Sequence, residues 1–176
     1  MPDLFHLGLE TYVNMDLKDL KNFRDKNNSD LFFNFDIKKL NWFNIGGKSK
    51  VFFKPKNLKE LKEFLLLYSN RGKIFTLGLG SNVLFRDDIY NGVIIKLSNN
   101  FSSISKLNNN TIIAGSSCSQ KKVSEFAMEK NIAGFEFMHC IPGSIGGGIK
   151  MNSGCFGKEF KDLLISIQCI DYYGNI

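Results

Sequence analysis

Between residues 141 and 157 the chain places six glycines in seventeen positions, IPGSIGGGIKMNSGCFG, and this density constrains the fold more than any other feature. Glycine offers no side chain to pack and loses the most freedom on ordering, so a core strand would not tolerate the composition. Pro142 and the recurrence of Ile141, Ile145, Ile149 and Met151 argue for a fixed shape over a flexible loop. Backbone pressed against a flat, extended ligand, with apolar side chains behind it, accounts for both features.

A chain of 176 residues, 43% hydrophobic and 23% charged, has room for one ordinary domain or two very small ones sharing an interface. The longest uninterrupted apolar run, residues 64–68, falls far short of the roughly 20 residues needed to cross a bilayer. No cationic region feeding an apolar stretch opens the sequence, so the expectation is a cytoplasmic protein with no membrane partner. Cys118, Cys140, Cys155 and Cys169 never fall within two or three residues of one another, which provides neither zinc spacing nor a redox pair. His6 and His139 cannot form a metal site unaided, and no metal is expected.

Positive charge is local: residues 41–73 carry eight cations and two acids. Such a surface attracts phosphorylated ligands, nucleotides included. Twenty of the 23 cations are lysine, however, the poorer bidentate reader of phosphate and base edges. Without a recognition helix or an aromatic RNA-binding signature, nucleic acid is not the expected partner, and a basic nucleotide or nucleic-acid binder stands as the lesser alternative.

Residues 1–30 read as a polar extension with a helix over 16–26. From Leu31 the pattern tightens, through Phe32, Phe33 and Phe35, to an alternation-poor strand over 50–54. Asn57 followed by Glu60 is an Asn-led capping box, and Leu58, Leu61, Leu65 and Tyr68 recur at helical spacing until Asn70 and Gly72. A buried strand over 74–77 completes a strand, helix, strand unit. Further strands are predicted over 93–97 and 111–114, with a polar loop between them, and over 163–170 before a turn at Tyr173-Gly174-Asn175. A second helix spans 119–130, with Val123, Phe126 and Ala127 inward. A last strand left without a returning partner suggests a truncated or fragmentary chain.

Two familiar nucleotide motifs fail on spacing. Gly46-Gly47-Lys48-Ser49 has the ending of a phosphate-binding loop, but its first glycine would fall at Trp42. Gly78-Leu79-Gly80-Ser81-Asn82-Val83 begins like a dinucleotide fingerprint, but Val83 holds the third glycine's place. What residues 78–82 can do is present successive backbone N–H groups to an anion, with Ser81 and Asn82 adding side-chain donors suited to a pyrophosphate or a ribityl hydroxyl.

Residues 41–47 (NWFNIGG), 77–84 (LGLGSNVL) with Asp87, and 141–157 together resemble the UDP-N-acetylenolpyruvoylglucosamine reductase family, in order and in spacing, over about residues 37–176. The resemblance implies an α+β, two-subdomain FAD-binding fold of the vanillyl-alcohol-oxidase (PCMH) type, truncated at the C-terminus. Residues 1–30 would be the extension, 31–100 the first subdomain and 101–176 an incomplete second one, with the substrate-binding domain absent. It further implies that Gly78, Gly80, Ser81 and Asn82 hold the FAD pyrophosphate, and that Ile141, Pro142, Gly143, Ser144, Gly147, Gly148, Asn152 and Gly154 line the rest of the cofactor. On this reading a larger side chain at Gly80 would fill space that phosphate needs.

The implied activity is NADPH-dependent reduction of UDP-N-acetylenolpyruvoylglucosamine to UDP-N-acetylmuramate, for peptidoglycan precursors. The family's catalytic groups are expected beyond Ile176, so no residue here is assigned a catalytic role. A free-standing flavin-binding module without reductase activity is the alternative. Cys140 stands where the family usually has glycine, Ser49 where it often has alanine, and Cys155-Phe156 where alanine and tyrosine are usual. Phe156 lacks the hydroxyl such a tyrosine would bring near the site.

Overall fold

The computed structural model describes residues 17–69 and 71–176. The expectations for His6, for Asp16 as a helix start and for Asn70 as a helix stop lie outside the described residues.

A four-stranded sheet organises the first half. Strand β1 (Leu31–Asp36) pairs antiparallel with β2 (Lys48–Phe53); β3 (Lys73–Thr76) and β4 (Tyr90–Ile95) run parallel to β2, in the order β1-β2-β4-β3. Successive side chains of a strand point to opposite faces. Val51, Phe53, Val93 and Ile95 therefore join Leu20 and Phe23 of helix α1 (Leu17–Asn27) and Leu61, Phe64, Leu65 and Tyr68 of helix α2 (Leu58–Tyr68) in one core. Phe52 and Ile94 pack on the other face with Ile37 and Leu77. Apolar groups cover both faces, which is why β2 shows no alternation in sequence.

The expected strand, helix, strand unit is present, but β4 lies between its two strands. As a result β3 is a half-buried edge strand, not the buried one expected. Part of the stretch read as an extension is built into the core. Leu20 is fully buried, Phe23 meets Phe53 and Phe64 edge-on, and the Arg71 guanidinium pairs with Asp19 at 2.6 Å.

Asn57 caps α2 by accepting from the Glu60 N–H at 2.9 Å. The reciprocal arm of the box is displaced, because the Glu60 carboxylate accepts from the Lys56 N–H at 2.6 Å and from the Ser29 hydroxyl. That arrangement buries Glu60 and ties α2 to the turn before β1. Leu58 is exposed, and Phe64 takes the inward place instead.

The second half holds an antiparallel hairpin of β5 (Ile104–Asn108) and β6 (Thr111–Ala114), helix α3 (Gln120–Glu129), a 3-10 turn at Glu136–Cys140, helix α4 (Ile145–Met151), and a short hairpin of β7 (Gly154–Cys155) and β8 (Lys158–Glu159). Its core contains Cys118, Val123, Phe137, Met138, Ile145 and Phe160. Val123 and Ala127 of α3 are buried as expected, while Phe126 is half-buried beneath the Lys130 ammonium.

Three expectations are corrected. Strand β5 occupies part of the predicted polar loop; only Ile104 is even half-buried, so its pairing with β6, and no apolar alternation, makes it a strand. Residues 145–151 are helical, although glycine in a helix costs about 1 kcal/mol per residue relative to alanine. Close packing explains it: a Cβ on Gly148 would strike the Phe160 ring, and one on Gly146 would lie 3.2 Å from Ser116.

Residues 163–170 form no strand. They find no partner among the described residues, and Ile165 and Ile167 stay exposed. The turn that follows is present. Asp171 organises it, its carboxylate accepting from the Tyr173 and Asn175 N–H groups at 2.8 and 2.9 Å.

Candidate functional site: two glycine segments meet in space

The carboxyl ends of the three parallel strands lie along one edge of the sheet. Leu77, just past β3, is anchored by its N–H to the Ile95 carbonyl at 2.8 Å, and the chain then turns away through residues 78–82. Among the described residues, none of the amides of 78–82 donates a hydrogen bond to protein. The side chains of Ser81 and Asn82 are likewise unengaged among the described residues. A row of uncommitted donors fits an anion with several acceptor oxygens, such as a diphosphate.

Gly80 shapes the bend with φ of +77°, and its carbonyl accepts from the Trp42 N–H at 3.2 Å. The space of its absent side chain is filled by the Leu40 carbonyl and the Asn41 backbone. Asn41 is buried and organises residues 41–45, donating to the Ile45 carbonyl at 2.8 Å and accepting from the Phe43 N–H at 3.1 Å. Two of the three motifs are therefore in direct contact.

The third motif reaches the loop from the second half of the chain. A Cβ on Gly78 would stand 2.5 Å from Ser144 Oγ and 3.9 Å from the Gly147 Cα. One on Gly143 would stand 3.9 Å from Ser81 Oγ. Gly78, Ser81, Gly143, Ser144 and Gly147 thus form one cluster.

The amides at the start of α4 are already used. Ile145 donates to the Cys118 carbonyl and Gly146 to the Ser116 carbonyl, both at 2.8 Å, and Gly147 donates to Ser144 Oγ at 3.2 Å. Uncommitted amides are therefore offered by residues 78–82 and not by this helix end.

The remaining expected residues divide. Pro142 is exposed beside Gly143, whereas Ile141 packs against the second core. Gly148 lies against Phe160 and the buried Gln120 amide, and Gly154 faces the Lys158 carbonyl and the Glu159 side chain. Asn152, at φ of +45°, ends α4, donates to Glu159 at 2.9 Å and accepts from the Lys161 N–H at 3.0 Å. Gly148, Asn152 and Gly154 have work in the fold, which chain spacing alone does not reveal.

Residues 49–176 match the family model described as an FAD binding domain. The chain belongs to this FAD-binding family. It is similar to the UDP-N-acetylenolpyruvoylglucosamine reductase of Pelagibacter ubique, 53% identical over 162 residues that make up 92% of this chain and 54% of the relative. To the enzyme of the same name from Rickettsia massiliae it is 45% identical, over 80% of this chain and 48% of the relative. The chain thus spans about half the length of these relatives. Among solved structures, the UDP-N-acetylenolpyruvylglucosamine reductase of Thermus caldophilus shares the fold, with a TM-score of 0.61 at 22% identity, over 76% of this chain and 46% of that one.

Two residues of this FAD-binding domain went unnoticed in the sequence. Lys96, just past β4, donates from Nζ to the Gly78 carbonyl at 2.6 Å, which sets an ammonium at the base of the loop. Burial, and next the nearby Lys54, push its pKa below the ordinary lysine value. A lysine directly after the apolar run Val93-Ile94-Ile95 was the available signal. Gln120 is buried, donates its own N–H to the Gly143 carbonyl at 2.9 Å, and leaves its side-chain Oε1 without a partner among the described residues. Nothing in its local sequence marks it.

Among the described residues, no helix is long and apolar enough to cross a membrane, and no group of three His, Cys, Asp or Glu side chains could hold a metal ion.

Proposed function

We propose that the chain is the FAD-binding part of a UDP-N-acetylenolpyruvoylglucosamine reductase, acting in the cytoplasm on a UDP-sugar with NADPH as reductant. The observation that carries this reading is the row of uncommitted amides at 78–82, set against Ser144 and above the Lys96 ammonium. The residues present suit FAD: amide donors and one cation for its diphosphate, and hydroxyl and amide side chains at Ser81 and Asn82 for the ribityl or phosphate oxygens. Membership of the FAD-binding family supports the same cofactor, and the two named relatives support the reductase reading.

When bound, FAD supplies hydride transfer between NADPH and the enolpyruvyl double bond. The chain's own part is to bind and orient. Residues 78–82 hold the diphosphate, Gly143, Ser144 and Gly147 close the cradle from the second subdomain, and Pro142 lies at its rim. Ile141 supports the cradle from behind. No residue described here is assigned the proton transfer.

The test is a titration of the purified chain with FAD, followed by flavin fluorescence, on wild type and on the double variant Ser81→Ala/Asn82→Ala. Among the described residues, neither side chain supports the fold by a hydrogen bond, so thermal unfolding of the flavin-free variant is expected to match wild type. FAD affinity is expected to fall by about tenfold, the equivalent of one or two lost hydrogen bonds. Unchanged affinity would remove the loop from the cofactor site.

A further inference from the structure

Cys140 and Cys155 stand apart in the chain, but the fold closes the gap. Cys140 ends the 3-10 turn at Glu136–Cys140, is exposed, and donates from Sγ to the Phe137 carbonyl at 3.4 Å. Cys155 lies half-buried in β7, with its sulfur 3.8 Å from Cys140 Sγ. The other two thiols are placed differently: Cys118 is buried in the second core, and Cys169 is exposed in the irregular stretch after residue 163.

We infer that Cys140 and Cys155 form an oxidation-sensitive thiol pair, which a hydroperoxide converts to a disulfide that closes residues 141–154 into a covalent loop. Thiols in van der Waals contact need only a small approach to reach the bonded separation of about 2.0 Å. Both lie at the ends of short, irregular elements, where such an adjustment disturbs no long helix or ladder.

The chemistry balances with one peroxide. Cys140, the exposed thiol, attacks the terminal peroxide oxygen as its thiolate; the O–O bond breaks, the departing oxygen leaves as water from hydrogen peroxide or as the alcohol from an organic hydroperoxide after protonation, and a sulfenic acid remains. The Cys155 sulfur then attacks that sulfenic sulfur. The S–S bond forms as the S–O bond breaks, and water departs. Two thiols are oxidised and one hydroperoxide is reduced. Burial, and then the neighbouring Cys140 thiol, raise the pKa of Cys155, which disfavours it as the first thiol to attack.

The bond would join the two ends of the segment that carries Gly143 and Ser144, and so would restrict how far that segment can move from residues 78–82. The inference rests on the sulfur geometry and not on what the cradle binds. It therefore stands or falls separately from the flavin assignment.

The test treats the purified chain with equimolar hydrogen peroxide, alkylates the remaining thiols, and maps unreduced peptides by mass spectrometry. Alkylated cysteines are expected to fall from four to two, with the Cys140 and Cys155 peptides joined and lighter by two hydrogens, and with full reversal by dithiothreitol. In Cys140→Ser, Cys155 is expected to remain alkylated under the same treatment. Sulfinic or sulfonic acid at Cys140 with Cys155 still free, a bond from either residue to Cys169, or a disulfide-linked dimer would each overturn the inference.

Discussion

Ser144 Oγ occupies the place where a side chain on Gly78 would begin, at 2.5 Å from the Cβ position. The same oxygen caps α4 by accepting the Gly147 N–H at 3.2 Å. One hydroxyl therefore sets both the approach of the two glycine segments and the start of the glycine helix. Gly78→Ala is expected to displace it and cost about 1–3 kcal/mol, the usual range for overpacking a close contact. Thermal unfolding of flavin-free protein measures that loss, and a parallel FAD titration should show weakened binding because the two segments no longer meet.

Gly80 behaves differently. The space beside it belongs to the Leu40 carbonyl, not to a phosphate, and its φ of +77° disfavours any branched residue. Gly80→Val is expected to destabilise the chain by at least roughly 1–3 kcal/mol from backbone strain alone. Urea unfolding without flavin should already show the full effect. A variant as stable as wild type, defective only in FAD binding, would restore the phosphate reading.

Lys96 makes the site pH-dependent. Its folded pKa lies below the ordinary lysine value, chiefly through burial and then through Lys54. Between those two values the folded chain binds fewer protons than the unfolded chain, so this group's contribution to stability rises with pH, and it is lost as pH falls through the folded pKa. The stability difference between wild type and Lys96→Met should follow the window between the folded and the ordinary lysine value. An anion held beside the ammonium favours its charged form, so FAD affinity should weaken as pH climbs through the same range. A pH-independent affinity in that range would place the diphosphate away from Lys96.

Phe64 anchors the first core, with its ring stacked on Phe53 at 4.1 Å and on Tyr68 at 5.5 Å. Phe64→Ala is expected to cost about 3–5 kcal/mol, a large fraction of the stability of a small domain. The check is loss of the cooperative thermal transition, or a sharp fall in its midpoint.

Much of this was legible along the chain. The cap at Asn57, the periodicity of α2 and α3, the strand at 111–114 and the bend at 78–82 all rest on interactions within a few residues, and each was found in place. The three glycine-bearing motifs were singled out together, and they do meet in space. The hidden parts are those where the local signal is neutral or misleading. Residues 163–170 carry apolar, β-branched side chains, yet a strand requires a partner, and none lies alongside among the described residues. The exposed strand β5 carries no pattern at all until β6 pairs with it.

Local sequence, then, determined where the chain turns, where its first two-faced core lies and which backbone amides are left open, because steric freedom and periodic burial act over neighbouring residues. Tertiary structure alone decided that three glycines form a helix against Phe160, that Gly80 faces a carbonyl, that Lys96 lies under Gly78 and that two distant thiols touch. Those outcomes depend on the space and charge that remote segments bring to a residue, and no stretch of sequence carries that information by itself.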